Sequence, residues 1–338
     1  MVVVYYIYLY IGTNSQTIKM NKLFSVKPVL VWAGLLAAGM VTAQPDTLSF
    51  LHITDMHTMF NLENYHPGIV HHREKVRNYE NANHHLQTFL QIVPEETGSD
   101  MVMATGDMID FFQAETDSGN MVGFQVEQFA GFVENFRIPV YLTLGNHETF
   151  SYDWKDEKLI PDQFSAGKSK AAWIRNFDCF RHGTYYSRTF RTGETTYRLI
   201  FLDDGFYRFL PEENMVNPYV DKPQLHWLKT ELNAHDDDVE IILMHIPFSK
   251  ASVQAGTSHE LFTTLLQHPS VKLILSGHHH RNLIQSFARD KVRELNQVET
   301  DALVETPANW RQIRLTEKTI LVSEPGNRNS ELVIPVKP

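Results

Sequence analysis

Residues 101–110 read MVMATGDMID, an apolar run suited to a buried β-strand that leads directly into Gly106, Asp107 and then Asp110. Four other stretches have the same order, an apolar run followed at once by Asp, Asn or His. The five polar segments are Asp55-Met56-His57, Gly106-Asp107-Met108-Ile109-Asp110, Gly145-Asn146-His147-Glu148, Met244-His245 and Gly277-His278-His279-His280. One such segment carries little information, but five in succession indicate that the strand ends hold the functional side chains.

Apolar runs and helical patterns alternate along the chain. Runs rich in β-branched or aromatic residues predict strands at Leu48–Thr54, Met101–Thr105, Pro139–Leu144, Arg198–Leu202, Glu240–Met244 and Val271–Ser276. Helical patterns cover Pro67–Ile92, Met121–Phe136 and Lys222–Ala234. A hairpin is predicted from Thr184–Phe190 and Thr196–Leu202, and two closing strands from Trp310–Leu315 and Thr319–Val322. This alternation predicts an α/β fold, and the hairpins predict mixed sheets.

The positions of the polar segments matter more than their number. In open α/β sheets, ligands bind beyond the carboxyl ends of the strands. Five residues each fall just after a predicted strand: Asp55, Asp107, Asn146, His245 and His278. One fold can therefore bring all five side chains to one rim.

Metal binding is the chemistry that these residue types favour. Carboxylate oxygens and imidazole nitrogens together suit metals such as Zn, Mn, Fe or Co. In an extended strand, residues two apart point the same way, so Asp55 and His57 are expected to clamp one ion, and His278 and His280 have the same spacing. Asp107 is the candidate to bridge two ions, which at about 3.5–4 Å apart would hold a hydroxide nucleophile and the phosphoryl oxygens together.

The five segments also match a known pattern. They read D-x-H, G-D-x-x-D, G-N-H-[DE], a lone H and G-H-x-H, in this order and with no ligand position missing. The chain therefore resembles the calcineurin-like metallophosphoesterases from Asp55 to His280. Each short segment is weakly specific alone, whereas the joint pattern is highly specific.

The resemblance implies a site with two divalent or trivalent metal ions, such as Mn, Fe or Zn. The first ion would be held by Asp55, His57, Asp107 and His280. The second would be held by Asp107, Asn146, His245 and His278, with Asp107 as the bridge. His147 would contact the phosphate and protonate the leaving group, and Asp110 would pair with His147 and orient it.

The resemblance also implies a fold, a pair of packed mixed β-sheets flanked by helices, which is a four-layer αββα sandwich. The related purple acid phosphatases carry a metal-bound tyrosine in the second segment and a glycine in the first. This chain has Asp110 and His57 at those places, so it resembles the general phosphoesterase branch instead.

The expected activity is hydrolysis of a phosphodiester or phosphomonoester by attack of a metal-bound hydroxide. The alternative is a metal-stabilised protein that binds a ligand without turnover. The presence of His147 and Asp110 argues against that alternative, because a purely structural metal site has no use for an acid–base pair that does not bind the metal.

Composition restricts the partners. The chain has 40 Asp and Glu against 30 Lys and Arg, a net charge of −10. Binding to the nucleic-acid backbone relies on basic surface, so nucleic acid is not expected as a partner. A small phosphorylated substrate, drawn to bound cations, is compatible with this charge.

The N-terminus predicts export. Met20 begins a segment with Lys22, Lys27 and an apolar run, and it ends in Val41-Thr42-Ala43, as signal peptides do. We expect residues 20–43 to be a signal peptide cleaved near Ala43, leaving residues 44–338 as a single domain in the periplasm or medium, without a membrane anchor. An uncleaved anchor helix is the alternative, although its apolar run is short for a bilayer span. Residues 1–19 are interpreted as an upstream extension that is not part of the protein.

Several other residues are given structural roles. Cys179 is the sole cysteine, so no intramolecular disulfide forms, and a buried thiol is expected. His52 is expected in the core, and His279 is expected to point away from the metals. His66 is the further histidine considered as a substrate contact. Asp203-Asp204-Gly205 is interpreted as a turn, with a place at the cleft rim as the alternative.

Overall fold

The computed structural model describes residues 46–205, 218–234, 239–250, 260–290 and 293–337. Residues 1–19 and the predicted signal peptide at 20–43 lie outside the described residues. Residues 43–338 form one compact unit. In the described part of the chain, no helix has the length and apolarity needed to cross a bilayer.

The elements alternate broadly as predicted. The described strands are β1 Thr47–Ile53, β2 Met101–Thr105, β3 Gln113–Glu115, β4 Met121–Val122, β5 Val140–Thr143, β6 Ser151–Lys155, β7 Lys158–Asp162, β8 Tyr186–Thr192, β9 Thr195–Phe201, β10 Val239–Leu243, β11 Val271–Ser276, β12 Leu283–Ala288, β13 Glu294–Glu299, β14 Arg311–Thr316, β15 Thr319–Ser323 and β16 Ser330–Pro335. The described α-helices are α1 Pro67–His71, α2 Ala82–Thr97, α3 Gln125–Val133, α4 Ala166–Asn176, α5 Lys222–Ala234 and α6 Glu260–Gln267.

Two six-stranded sheets form the centre of the fold. Sheet I has the order β16-β15-β14-β1-β2-β5, and sheet II has the order β12-β13-β11-β10-β9-β8. In sheet I, β1, β2 and β5 are parallel, whereas β14 is antiparallel to β1 and to β15. In sheet II, β9, β10, β11 and β13 are parallel and both edge strands are antiparallel. The prediction of mixed sheets is confirmed.

The core shows that the two sheets pack face to face. In β10, Ile241 and Leu243 belong to the apolar cluster that contains sheet I, whereas the alternate residue Ile242 packs with Leu228 of α5 and Leu265 of α6. The residues of β1 from Leu48 to Ile53 are buried, as expected of a strand covered on both faces. Helices α2 and α3 contribute to the same cluster as sheet I. The predicted layering, two packed sheets flanked by helices, is confirmed.

Three features differ from the predictions. A third, four-stranded sheet of order β4-β3-β6-β7 lies beside the two large ones. The pattern at Pro67–Ile92 is not one helix, because Asn78 has a left-handed φ of 62° and the helix restarts only at Ala82. Helix α3 begins at Gln125 instead of Met121, which lies in β4. Short apolar segments do not separate strand from helix by periodicity alone.

Candidate metal centre

The predicted ligands meet at one rim. Asp55, Asp107 and Asn146 follow three adjacent parallel strands of sheet I, and His245 and His278 follow two adjacent parallel strands of sheet II. The two rims touch, since His245 Nε2 lies 3.0 Å from Asn146 Oδ1 and 3.2 Å from Asp107 Oδ2. Packing the sheets face to face therefore brings together residues that are far apart in the chain.

Three groups of side chains at this rim have the geometry to hold a cation. Within each group, one potential ligand atom of every residue lies within 4.8 Å of the others. The groups are Asp55, His57 and His280; Asp107, His245 and His278; and His57, Asp107 and His147. We refer to the first as the Asp55 group and to the second as the His245 group.

The Asp55 group directs acceptor atoms at one another. Asp55 Oδ2 accepts hydrogen bonds from Thr54 Oγ1 at 2.7 Å and from the His278 backbone N–H at 2.8 Å. Its other oxygen, Oδ1, is buried and accepts no hydrogen bond from a described residue. That oxygen lies 3.4 Å from His280 Nε2, which is itself 3.2 Å from His57 Nε2. A buried carboxylate oxygen without a donor is costly unless a cation binds there, so these residues fit a metal.

The potential ligand atoms of the His245 group also face one another. His245 Nδ1 lies 2.7 Å from the Thr105 carbonyl oxygen, which can only accept, so Nδ1 carries a proton and Nε2 faces the group. His278 Nδ1 lies 3.2 Å from His245 Nε2. Asp107 Oδ2 lies 3.2 Å from His245 Nε2 in its own group and 3.8 Å from His57 Nε2 in the Asp55 group. Asp107 is therefore placed as a bridge would be.

Asp55 and His57 lie in one group, as their spacing predicts, but the reason given, an extended strand, is wrong. β1 ends at Ile53 and β11 ends at Ser276, so the paired residues lie in the loops beyond. His278 and His280 fall in different groups, not on one ion. Five of the predicted ligands have left-handed φ values: Asp55 at 51°, His57 at 45°, Asp107 at 52°, His278 at 71° and His280 at 49°. Such conformations cost roughly 1–3 kcal/mol each and persist only where the surroundings enforce them.

The family is settled by sequence. The sequence model of the calcineurin-like phosphoesterase family matches residues 48–282, more than half of the chain. This chain belongs to the calcineurin-like phosphoesterase family. The activity that follows from membership is metal-dependent hydrolysis of a phosphate ester.

Among two solved structures similar to this calcineurin-like phosphoesterase, one has a TM-score above 0.5. A dimetal phosphatase from Danio rerio has a TM-score of 0.56 and 15% identity, over 87% of this chain and 100% of that chain. A putative 5′-nucleotidase from Staphylococcus aureus has a TM-score of 0.46 and 15% identity, over 86% of this chain and 55% of that chain. This chain thus spans about half the length of that nucleotidase. No curated protein matches the chain.

The pairing of His147 with Asp110 differs in detail from the expectation. His147 Nδ1 lies 2.7 Å from the backbone carbonyl oxygen of Asp110, and 3.5 Å from its carboxylate Oδ1. The carboxylate instead accepts hydrogen bonds from Arg73 Nε at 2.6 Å and Nη2 at 2.5 Å, and Oδ1 lies 3.2 Å from His57 Nδ1. Burial acts to raise the pKa of Asp110, but Arg73 beside it and hydrogen bonds from the two histidines hold that pKa well below its usual range.

The carboxylates make the cleft favourable for positive charge. Burial acts to lower the pKa of His245, but Asp107, Asp55 and Asp204 raise it to about 10. Burial acts to raise the pKa of Asp107, but the histidines around it, His245 first, lower that pKa well below its usual value. Charge of either sign is expensive to bury alone, so the two signs are kept in contact.

Glu148 and Asp204 hold the loops of this phosphoesterase together, and sequence reasoning assigned neither of them this role. The Glu148 carboxylate accepts backbone hydrogen bonds from Asp107 at 2.8 Å, Met108 at 2.7 Å, Ile109 at 3.2 Å and Gly145 at 2.5 Å. Burial, followed by the nearby Asp107, raises the pKa of Glu148 to about 7. The acidic fourth position of the Gly145–Glu148 segment was the available signal.

Asp204 plays the corresponding part in sheet II. Its carboxylate accepts hydrogen bonds from the backbone N–H of His245 at 2.7 Å and of Ile246 at 2.8 Å. The segment after β9 therefore lies at the cleft rim, which was the alternative to a simple turn. Gly205 contacts the backbone of Gly145, where a Cβ would lie 2.3 Å from the carbonyl carbon.

The remaining histidines lie outside the three groups. His52 is buried between Thr300 Oγ1 and Thr105 Oγ1, each at 2.8 Å, and burial, then Arg311, lowers its pKa to about 3. The prediction of a core histidine is confirmed. His279 contacts Glu299 at 3.0 Å and belongs to none of the groups, as expected. His66 accepts a hydrogen bond from Gly68 N–H at the start of α1, and a substrate contact there stays a prediction.

Proposed function

We propose that this chain is a dinuclear phosphoesterase that hydrolyses a phosphodiester or a phosphomonoester at the rim shared by the two sheets. The observation that carries the proposal is that one carboxylate oxygen, Asp107 Oδ2, lies close to both ligand sets. It is 3.2 Å from His245 Nε2 and 3.8 Å from His57 Nε2 of the Asp55 group. A bridging carboxylate between two ligand sets is the arrangement that two-metal hydrolases need. The preference for a diester rests on family analogy alone.

The proposed ligands are those of the Asp55 group and the His245 group, with Asn146 and the sharing of Asp107 added from the family pattern. Asp55, His57, Asp107 and His280 hold one ion, and Asp107, Asn146, His245 and His278 hold the other. Their mixed nitrogen and oxygen donors suit Mn, Fe or Zn. When bound, such a pair of ions activates water and neutralises the charge of a phosphoryl group.

His147 is proposed to act on the leaving group. Its Nδ1 faces the Asp110 carbonyl oxygen, an acceptor, so Nδ1 carries a proton and Nε2 is the nitrogen available to substrate. Its ring packs edge-on against Phe150 at 4.9 Å and against His57 at 4.5 Å, which restricts its orientation. With a second proton on Nε2, a histidine fixed in this way can donate a hydrogen bond to a phosphate oxygen or pass that Nε2 proton to the departing oxygen.

The test compares two chromogenic esters. The protein is stripped with a chelator, reloaded with Mn²⁺, and assayed with bis-p-nitrophenyl phosphate and p-nitrophenyl phosphate. We expect metal-dependent turnover that favours the diester; a preference for the monoester would make the protein a phosphatase. Two bound metals without turnover of either ester would favour the alternative, a metal-stabilised binding protein.

His147→Ala separates catalysis from metal-dependent folding. We expect a loss of turnover of about 100-fold or more, with two ions retained, since general acid–base groups contribute about 10²–10⁴-fold. His279→Ala is the matched control, because His279 lies in a ligand segment but outside the three groups. Loss of metal together with unfolding in His147→Ala would contradict a catalytic role.

We further propose that the protein is exported, with cleavage near Ala43. The support is the n-region, apolar run and small-residue site of residues 20–43, all outside the described residues. The proposed partner is a small phosphorylated molecule and not nucleic acid, in keeping with the net charge of −10. N-terminal sequencing of the native protein is expected to begin near Gln44. An uncleaved N-terminus at Met20 would contradict cleavage near Ala43, and any residue before Met20 would contradict the interpretation of residues 1–19 as an upstream extension.

A further inference from the structure

Arg73 is a buried cation directly behind the candidate site. Its side chain is only 6% exposed, and its Nε and Nη2 donate to the two carboxylate oxygens of Asp110 at 2.6 and 2.5 Å. Asp110 is fully buried. This is the two-pronged geometry that a guanidinium forms with a carboxylate and that a lysine cannot reproduce.

Two tyrosines enclose the guanidinium, and each also touches one of the site histidines. The Arg73 Cζ lies 5.1 Å from the ring centre of Tyr79 and 5.3 Å from that of Tyr152. Tyr79 stacks on His57 with ring centres 4.6 Å apart and planes 20° apart. Tyr152 Oη lies 3.2 Å from His147 Nδ1. Arg73 therefore contacts Asp110 and both tyrosines, and each of these three residues in turn contacts His57 or His147.

The backbone is specialised to place these groups. Residues His72–Val76 form a π-helical turn, a rare conformation, and Asn78 then adopts a left-handed φ of 62°. The Tyr79 backbone N–H donates to the Arg73 carbonyl oxygen at 3.2 Å, so the chain folds back and Tyr79 lies against the π-helical turn. This return places the Tyr79 ring against His57 and the Arg73 guanidinium over that ring.

We propose that Arg73 is a positioning residue for this phosphoesterase. Its fork fixes the Asp110 carboxylate so that Oδ1 faces His57 Nδ1, and it thereby fixes the Asp110 carbonyl that holds His147. An ionised carboxylate accepts only, so His57 carries its proton on Nδ1 and presents Nε2 to the Asp55 group. Arg73 thus links the orientation of a proposed metal ligand with that of the proposed acid. The inference rests on the proposed function.

The test uses Arg73→Met, which removes charge and fork, and Arg73→Lys, which keeps the charge only. We expect Arg73→Met, saturated with Mn²⁺, to lose about 10–100-fold in kcat with KM changed less than threefold. We expect its affinity for one of two Mn²⁺ ions, measured by competition with a chelator, to fall by a similar factor. Arg73→Lys is expected to fold and to recover only part of either loss.

Arg289→Met is the matched control. Arg289 is a half-buried arginine that donates to the backbone carbonyls of Leu265, His268 and Val271, at the end of β11 opposite the site. Its loss leaves polar groups unsatisfied, as the loss of Arg73 does, but far from the cleft. We expect lower stability with unchanged kcat and Mn²⁺ affinity, which separates positioning from general destabilisation.

A readout independent of turnover keeps the two proposals distinguishable. The ¹⁵N shifts of His57 in the chelator-treated protein are expected to show the Nδ1–H tautomer in the wild type and a mixture in Arg73→Lys. If the wild type binds two ions but cleaves no ester, the proposed function fails, while the tautomer and the ion-selective loss still test Arg73. The positioning role would be overturned if a folded Arg73 variant kept the kcat, the Mn²⁺ affinity and the His57 tautomer of the wild type.

Discussion

At the scale of the residue, the site depends on buried carboxylates that bind backbone instead of metal. Glu148 receives N–H groups from the loop after β2 and from Gly145, and Asp204 receives those of His245 and Ile246. Loops cannot satisfy these donors with strand partners, and an unsatisfied buried N–H costs about 1–3 kcal/mol. Each carboxylate therefore determines the shape of a ligand loop without touching the ligand atoms.

Replacement of Glu148 by Gln is predicted to damage both stability and metal binding. One side-chain oxygen would become an NH₂ group facing backbone donors, so we expect the free energy of unfolding to fall by about 2–3 kcal/mol. The affinity for metal is expected to fall as the Asp107 loop shifts. Urea unfolding and Mn²⁺ titration measure the two effects.

Glu96→Gln, on the exposed face of α2, is the control for this change. Surface substitutions of this kind stay within about 0.5 kcal/mol. Equal stability of the Glu148 and Glu96 variants would show that Glu148 does not organise the loops.

At the scale of the element, the ligand loops work because backbone and side chains approach closely. A Cβ added at Gly277, in the loop after β11, would lie 1.9 Å from Thr54 Oγ1 and 2.3 Å from Asp55 Oδ2. The loop after β1 and the loop after β11 thus interlock across the two sheets. Glycine is required at Gly277 by this approach and not by its backbone angle.

Gly277→Ala is predicted to separate the two loops. The new methyl group displaces Thr54 and Asp55, so we expect loss of the ion of the Asp55 group and at least a 10-fold loss of activity, by analogy with other changes around metal ligands. Metal content after dialysis and turnover of bis-p-nitrophenyl phosphate are the measurements.

Gly131→Ala, in α3, is the matched control, since nothing lies within 4 Å of its added Cβ. It is expected to stabilise the protein by roughly 0.5–1 kcal/mol, because alanine favours a helix over glycine. Retention of both ions in Gly277→Ala would refute the interlocking of the loops.

At the scale of the whole molecule, the candidate centre lies on the seam between sheet I and sheet II. Each proposed ion takes ligands from both sheets. One has Asp55 and His57 beyond sheet I and His280 beyond sheet II, and the other has Asp107 beyond sheet I and His245 beyond sheet II. Bound ions would therefore cross-link the two halves of the fold.

Removal of metal is therefore predicted to lower the melting temperature. Binding that favours the folded state adds about 4 kcal/mol when the free metal is 1,000 times the dissociation constant. For a chain of this size that corresponds to a shift of roughly 6 °C. Calorimetry with chelator, and then with restored Mn²⁺, measures the shift.

Asp107→Asn is the companion variant, because it weakens both ion sites at the bridge. Its melting temperature is expected to respond little to chelator. A wild-type protein that binds two ions without any change in melting temperature would contradict a cross-linking role.

The sequence alone was enough to predict several strands, the candidate ligands and the family of this protein. Strands β2 and β11 have the predicted bounds, because a buried strand between helices reads as a continuous apolar run that ends at Gly106 or Gly277. The candidate ligands were recognisable because each lies in a short motif, and the spacing of residues within a motif can be read from the sequence without knowing the fold. The family follows from the same segments.

Tertiary structure decided the rest, because it depends on contacts that local patterns do not encode. Arg73 meets Asp110 across 37 positions, and Glu148 meets the Asp107 loop across about 40, with no periodic signal. The separation of His278 from His280 into two groups arises from left-handed loop residues and not from strand alternation. The third sheet is built from strands as short as Met121–Val122, too short for a period to show. Segments along the chain thus identified the candidate ligands and, through the family pattern, their division between two ions, whereas packing of the two sheets brought them together and decided which residues hold them in place.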